Sequence, residues 1–139
     1  MYLLDTNVVS ELRKAKSGKA NKQVAAWASG VTVPELFLSV VTILEIETGI
    51  LLIERRDPTQ GAILRTWLES HVLAAFAQRI LPVDLAVAQR CAQLQVPHPR
   101  SDRDALIAAT ALVHGMAVVT RNRAHFEGTS VEILNPWAI

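Results

Sequence analysis

The sequence predicts an α/β fold built on a mostly parallel central sheet of about five strands, flanked by helices. Three observations lead there. Short apolar segments alternate with helical patterns along almost the whole chain, which implies parallel strands joined by right-handed crossovers. Segments such as Ala117-Val118-Val119 are apolar without alternation, as strands buried on both faces are. A carboxylate, Asp5, stands where the first strand hands over to a helix, and open α/β sheets bind their ligands at such a place. With 139 residues, 50% of them hydrophobic and 19% charged, the chain can bury one core without disulfides or metal staples. No internal repeat, low-complexity tract or interdomain linker interrupts it, so residues 1–139 are expected to form a single domain.

Taken in order, the first strand is Tyr2 to Leu4, and Asp5-Thr6-Asn7 opens the helix after it. Arg13, Lys14, Lys16, Lys19 and Lys22 then fall within ten residues with no acid among them. That run reads either as a solvated linker between two helices or as an edge that steers phosphate. The second strand is Phe37 to Val40, followed by a helix on which Thr42, Glu45, Gly49 and Leu52 share a face. Ile50 to Ile53 and the stretch through Trp67, Leu68, Val72, Leu73 and Phe76 supply apolar surface, either for a two-sided core or for association. The third strand is Ile80 to Val83; Asp84 after it reads as the N-cap of a helix whose apolar face carries Leu85, Val87, Ala88, Cys91 and Leu94. Ser101-Asp102-Arg103-Asp104 reads as the capped start of a further helix, with Asp104 at its third position. Strands at Ala117 to Thr120 and Val131 to Leu134 complete the sheet, and the loops are short, punctuated by Gly18, Gly30, Pro34, Pro58, Pro97 and Pro99.

The single cysteine, Cys91, cannot form an internal bridge, and it is expected in the core of a protein from a reducing compartment. The chain begins with a strand pattern rather than a basic region and a long apolar run, which points to a cytoplasmic protein without membrane insertion. The four histidines, His71, His98, His114 and His125, lie in separate contexts and do not suggest zinc.

Asp5, Glu45 and Asp104 come from distant segments and together suggest one site for a hard cation. Each has a local alternative, since Asp5 and Asp104 can serve as helix-terminal acids whatever else they do. Helical phase separates the two neighbouring glutamates: Glu47 lies about 200° round the helix from Glu45, so both cannot face one site. Glu45, with short neighbours Thr42 and Gly49, is placed at the site and Glu47 in solvent. Phosphate-cradling Gly-Lys-Ser or Gly-Lys-Thr loops are absent. Asn7 stands where a haloacid-dehalogenase phosphatase needs its second aspartate, and the acids and lysine of a response-regulator receiver are missing.

The order of these segments carries a more specific signal. Leu3-Leu4-Asp5-Thr6-Asn7-Val8-Val9-Ser10-Glu11, Leu38-Ser39-Val40-Val41-Thr42-Ile43-Leu44-Glu45-Ile46, Asp104-Ala105-Leu106-Ile107-Ala108-Ala109-Thr110-Ala111, Val118-Val119-Thr120-Arg121-Asn122 and Leu134-Asn135-Pro136-Trp137 occur in sequence along nearly the whole chain. In this the chain resembles PIN-domain ribonucleases, specifically VapC-type toxins of the FitB-like branch. The resemblance implies a PIN-like domain in which Asp5, Glu45 and Asp104 match the metal-binding acids and hold Mg²⁺, or Mn²⁺. It implies hydrolysis of RNA phosphodiester bonds by a metal-activated water. Thr6, Asn7, Ser39 and Thr120 are expected to orient the acids, and Arg121 and Arg123 to meet RNA phosphate. A fourth acid common in such domains is here Asn122, which can bind metal or its water but brings no charge. The resemblance also implies a homodimer held inactive by a small cognate antitoxin. The rival reading is a catalytically weak PIN module that acts mainly by binding an antitoxin or RNA.

Overall fold

A computed structural model describes every residue, Met1–Ile139. Its regular elements are β1 (Tyr2–Leu4), α1 (Thr6–Leu12), α2 (Lys22–Ser29), β2 (Leu36–Ser39), α3 (Val40–Arg56) and α4 (Pro58–Trp67). A π turn at Leu68–Val72 carries α4 into a last short turn, α5 (Leu73–Ala75); then come β3 (Ile80–Leu81), α6 (Leu85–Leu94), α7 (Asp102–His114), β4 (Ala117–Val119) and β5 (Ile133–Leu134). The five strands pair in the order β3-β2-β1-β4-β5, and every pairing is parallel. The expected parallel α/β sheet is therefore observed.

Strand pleat explains why the sheet is apolar on both sides. Successive side chains point to opposite faces, so Leu4 and Val119 join one core with Val8, Leu38, Ile46, Ile50 and Leu68. Leu3 and Val118 join the other, with Val41, Ile107, Ala108 and Phe126. Phe126, Leu3, Leu4 and Val118 are completely buried. Each large side chain of this kind stabilises the fold by about 1.5–3 kcal/mol.

Helix boundaries follow local chemistry. Asp5 accepts from the Thr6 backbone N–H, Asn21 from those of Gln23 and Val24, Asp57 from that of Gln60, and Asp84 from that of Val87. Pro58 sits at the start of α4, where a missing N–H costs nothing. Gly115 ends α7 in the left-handed conformation at φ 67°, which favours glycine.

The differences from the sequence reading have local causes. Ser39 stops β2 one residue early, because its side chain accepts from the Val41 N–H and starts α3 at Val40. The third strand is only Ile80–Leu81; Pro82 has no N–H to continue a ladder. The fifth is only Ile133–Leu134. Cys91 is half-buried rather than in the core, and burial pushes its thiol above its ordinary pKa. Glu47 is not simply solvated, because Arg65 of α4 bridges it at 2.6 Å and Glu54 at 3.1 Å, tying α3 to α4. The apolar stretches divide: Ile50, Leu68 and Val72 are buried, whereas Leu51, Leu52 and Leu73 are exposed. No helix is long and apolar enough to cross a membrane.

Candidate functional site

In the strand order, β1 connects outward to β2 on one side and pairs with β4 on the other, so the chain reverses direction of travel across the sheet between them. Ligands of open α/β sheets bind beyond the carboxyl ends of strands at such a point. Asp5 follows β1 directly, and its N–H donates to Val119 O at 2.9 Å, which brings the residue beside Thr120 at the end of β4.

Asp5 is 6% exposed, and both of its oxygens are engaged. Oδ1 accepts from the Thr6 N–H at 2.8 Å; Oδ2 accepts from the Thr120 hydroxyl at 2.8 Å and from the Asn7 amide at 3.2 Å. Burial pushes the carboxyl above the ordinary aspartate range; the Thr120 and Thr6 bonds oppose the shift and the charge of Asp104 adds to it. Asn7 is fixed in turn, its amide oxygen accepting from the Arg121 N–H at 3.2 Å. Thr120 Oγ1 also accepts from the Asn122 N–H at 3.0 Å.

Glu45 lies on the second turn of α3, and its Oε1 accepts the Thr6 hydroxyl at 2.7 Å. The same hydroxyl stands 3.4 Å from that of Thr42, three residues earlier on the helix. Asp104 lies in the first turn of α7, and its Oδ2 is 3.5 Å from His125 Nδ1. Burial raises the Asp104 carboxyl, His125 opposes this, and Glu45 adds to it. The capping box suggested by Ser101 and Asp104 does not form, because Ser101 makes no side-chain cap bond. Asp104 faces His125 and the other acids instead.

These groups share a cleft of about 420 Å³ lined by Asp5, Thr6, Asn7, Glu45, Ser101, Arg103, Asp104, Asn122 and His125, with no apolar side chain among them. The structure thus brings together Asp5, Glu45, Asp104, Thr6, Asn7 and Asn122, with Thr120 behind Asp5. It does not bring Ser39, which is fully buried and capping α3; Thr42 reaches Thr6 in its stead. Arg121 and Arg123 do not line the cleft either: the Arg121 guanidinium lies 5.4 Å from the centre of the Trp137 ring, and Arg123 donates to Ile133 O at 3.3 Å. Ser101, Arg103 and His125 are the lining residues that the sequence reading left out of the site. An arginine inside the first turn of a helix, where cations are disfavoured, was the available signal for Arg103.

The donor set is all oxygen apart from His125, which suits a hard divalent cation better than a soft one. As the side chains lie, no three acidic, imidazole or thiol groups converge closely enough to ligate one ion. Such a set fits a cation held by one or two carboxylates, with water and substrate oxygens completing its shell.

A second concavity begins at Glu45. Thr6 and Glu45 also line a groove with Arg13, Ile46, Gly49, Ile50, Ile53, Leu64 and Trp67. It is continued by an apolar hollow of Leu4, Val9, Leu12, Arg13, Trp67, His71, Val72 and Phe76. Arg13 lies over Trp67, 5.9 Å from the ring centre. All five residues of the basic run are exposed; only Lys14 is ion-paired among them, with Glu11 at 3.3 Å.

The chain is similar to known proteins over nearly its whole length. The PIN domain family model matches residues 2–130. The chain is 38% identical to the VapC ribonuclease Y4jK of Sinorhizobium fredii over 142 aligned positions, covering 99% of this chain and 98% of that one. It is 35% identical to toxin FitB of Neisseria gonorrhoeae, covering 99% of both. The solved structure of FitAB bound to an IR36 DNA fragment superposes with a TM-score of 0.88 at 34% identity, over 100% of this chain and 97% of the other.

Proposed function

The chain belongs to the PIN domain family, and on that premise we propose that it is a divalent-cation-dependent ribonuclease toxin of a toxin-antitoxin system. The observation that carries this reading is the convergence of Asp5, Glu45 and Asp104, from three separate elements, on one wholly polar cleft at the switch point of the sheet. Relatives with full-length matches are named a ribonuclease and a toxin, which supports the same conclusion.

One or two of Asp5, Glu45 and Asp104 would hold Mg²⁺ or Mn²⁺ directly and the others through its waters, with Asn122 lining the same cleft. Such a cation, when bound, would supply a Lewis acid for the phosphate and a counter-charge for the departing oxygen. The protein's own part is orientation. Thr6 joins two of the acids, giving its N–H to Asp5 and its hydroxyl to Glu45. Asn7 and Thr120 hold the Asp5 carboxylate from its other side. Burial raises the Asp5 and Asp104 carboxyls, and the charge of Asp104 adds to the first and that of Glu45 to the second, so cation binding relieves a repulsion among the acids.

The antitoxin is proposed to seat an apolar segment in the groove between α1, α3 and α4, whose near end is lined by Thr6 and Glu45. A cationic side chain at the tip of that segment would then compete for the carboxylates. Val40, Leu44 and Leu51 remain exposed along one side of α3 and support association of two copies. We place the protein in the cytoplasm, where its RNA substrate is made.

The test is cleavage of a total small-RNA pool by antitoxin-free protein with Mg²⁺ or Mn²⁺, beside Asp5→Asn protein and an EDTA control. Discrete fragments that vanish in both controls support the reading. Folded, partner-free protein that leaves RNA intact with either cation would transfer the conclusion to a binding module, for which the uncharged Asn122 is the favouring residue.

A further inference from the structure

Arg103 sits in the first turn of α7, directly before Asp104, and its side chain lines the acidic cleft. A first turn is a poor place for a cation, because its free N–H groups form the positive end of the helix dipole. Asp102 and Asp104 suit that position, and Arg103 does not, so helix energetics do not account for it. The acid within ion-pair reach is Glu45, whose Oε2 stands 3.9 Å from Arg103 Nη1 while its Oε1 is held by Thr6. That separation is longer than a hydrogen bond, and Arg103 is exposed, so its donors stay open to an incoming group. Arg65, by contrast, is committed to Glu47 and Glu54, and Arg79 and Arg100 to backbone carbonyls. A guanidinium is also a planar fork that matches phosphate oxygens two at a time.

Resting on the ribonuclease reading of the cleft, we propose that Arg103 is a resident counter-ion that changes partners. It neutralises Glu45 in the cation-free protein, and it turns to a phosphate of the RNA once a divalent cation occupies the carboxylates. Arg103 offsets one of the three carboxylates in the first state and the charge of one phosphate in the second. Arg103 competes with the cation in the first state and positions the substrate in the second.

The experiment titrates Mn²⁺ calorimetrically into wild-type, Arg103→Ala, Arg103→Lys and Asp5→Asn proteins, and follows cleavage of a single-stranded oligoribonucleotide across a salt series. Arg103→Ala should bind Mn²⁺ roughly two- to fivefold more tightly, which is the worth of one exposed ion pair. Its KM should rise more than its kcat falls, and the slope of log KM against log salt should drop by about 0.7, one phosphate contact on a single strand. Arg103→Lys should restore the Mn²⁺ affinity and the salt slope but only part of KM, since a point charge lacks the fork. A melting temperature of Arg103→Ala at or above wild type shows that these changes do not come from a loosened fold. If wild type binds Mn²⁺ and Asp5→Asn does not, an unchanged Mn²⁺ affinity or salt slope in Arg103→Ala overturns the proposal alone. Wild-type protein that binds no Mn²⁺, or Asp5→Asn protein that binds it equally well, overturns the ribonuclease reading as well.

Discussion

The Thr120 hydroxyl donates a 2.8 Å hydrogen bond to Asp5 Oδ2 across 115 positions of sequence, in a fully buried contact. It exists because β1 and β4 are neighbours in register, Leu4 opposite Val119, so the residues that follow them meet. Among the groups that act on Asp5, this bond does most to counter the upward push of burial on its carboxyl.

Thr120→Val removes that donor while keeping the shape. The Asp5 carboxyl should then titrate still higher, and the acid limb of the cleavage profile should move to higher pH. Asp5 Oδ2 keeps the Asn7 amide but loses its shorter bond, and the Asn122 N–H loses its acceptor, so stability should fall by roughly 1 kcal/mol. Cleavage measured against pH, with thermal denaturation beside it, checks both effects; an acid limb that stays in place would show that Asp5 ionisation does not govern the reaction.

Neutralising the acids should separate function from stability. Asp5→Asn, Glu45→Gln and Asp104→Asn are each expected to lower cleavage at least about 100-fold, the scale set by removing a group fixed against transition-state charge. Asp102→Asn should leave activity near wild type. Glu47→Gln should do the same while costing up to about 1 kcal/mol, because it gives up a surface partner of Arg65. Equal loss of activity from Glu47→Gln and Glu45→Gln would mean that the face of α3 turned to the cleft has been misassigned.

Cation-free stability should fall as pH rises. The Asp104 carboxyl is raised above its ordinary value of 3.8, so between that value and its folded pKa the native state holds a proton that the unfolded chain has lost. Unfolding releases that proton, and stability declines with pH through the window. Asp104→Asn should therefore melt higher than wild type at neutral pH in EDTA, and the two should converge below the unfolded carboxylate pKa. Added Mn²⁺ should raise the melting temperature of wild type alone. A variant that melts lower at neutral pH would show that Asp104 acts chiefly as a helix-terminal acid.

Gly61 of α4 lies close against α3. A Cβ built there stands 2.5 Å from Glu54 Cγ and 2.7 Å from its Cα, and backbone cannot yield as a flexible tip does. Gly61→Ala should cost about 1–3 kcal/mol by overpacking, read as a lower melting temperature with cleavage per folded molecule unchanged. An alanine variant as stable as wild type would show that the helix pair can part without penalty.

Local pattern made much of this legible. The unbroken apolar runs announced strands covered on both faces, and Leu3, Leu4, Val118 and Val119 do divide between two cores. Asp84 was readable as a cap because capping is a contact within four residues, and Val87 N–H does bind it. Ser39 shows the weakness of the same reasoning. Its hydroxyl could cap or could reach the acids, and only the turn into α3 made it a cap.

The sequence by itself determined the parallel α/β sheet, the placement of Asp5 at the end of its first strand, and the helical phase that parts Glu45 from Glu47. These rest on periodicities of two and 3.6 residues and on spacing within a turn or two. Tertiary structure alone decided which side chains meet: Arg65 with Glu47 and Glu54, Thr42 with Thr6, His125 with Asp104, Arg103 with Glu45. Such pairings depend on how far apart two packed elements stand and how they are rotated, and no local repeat encodes that. A residue's helix face can be read from its neighbours in sequence, but what occupies the space before that face is set by the whole fold.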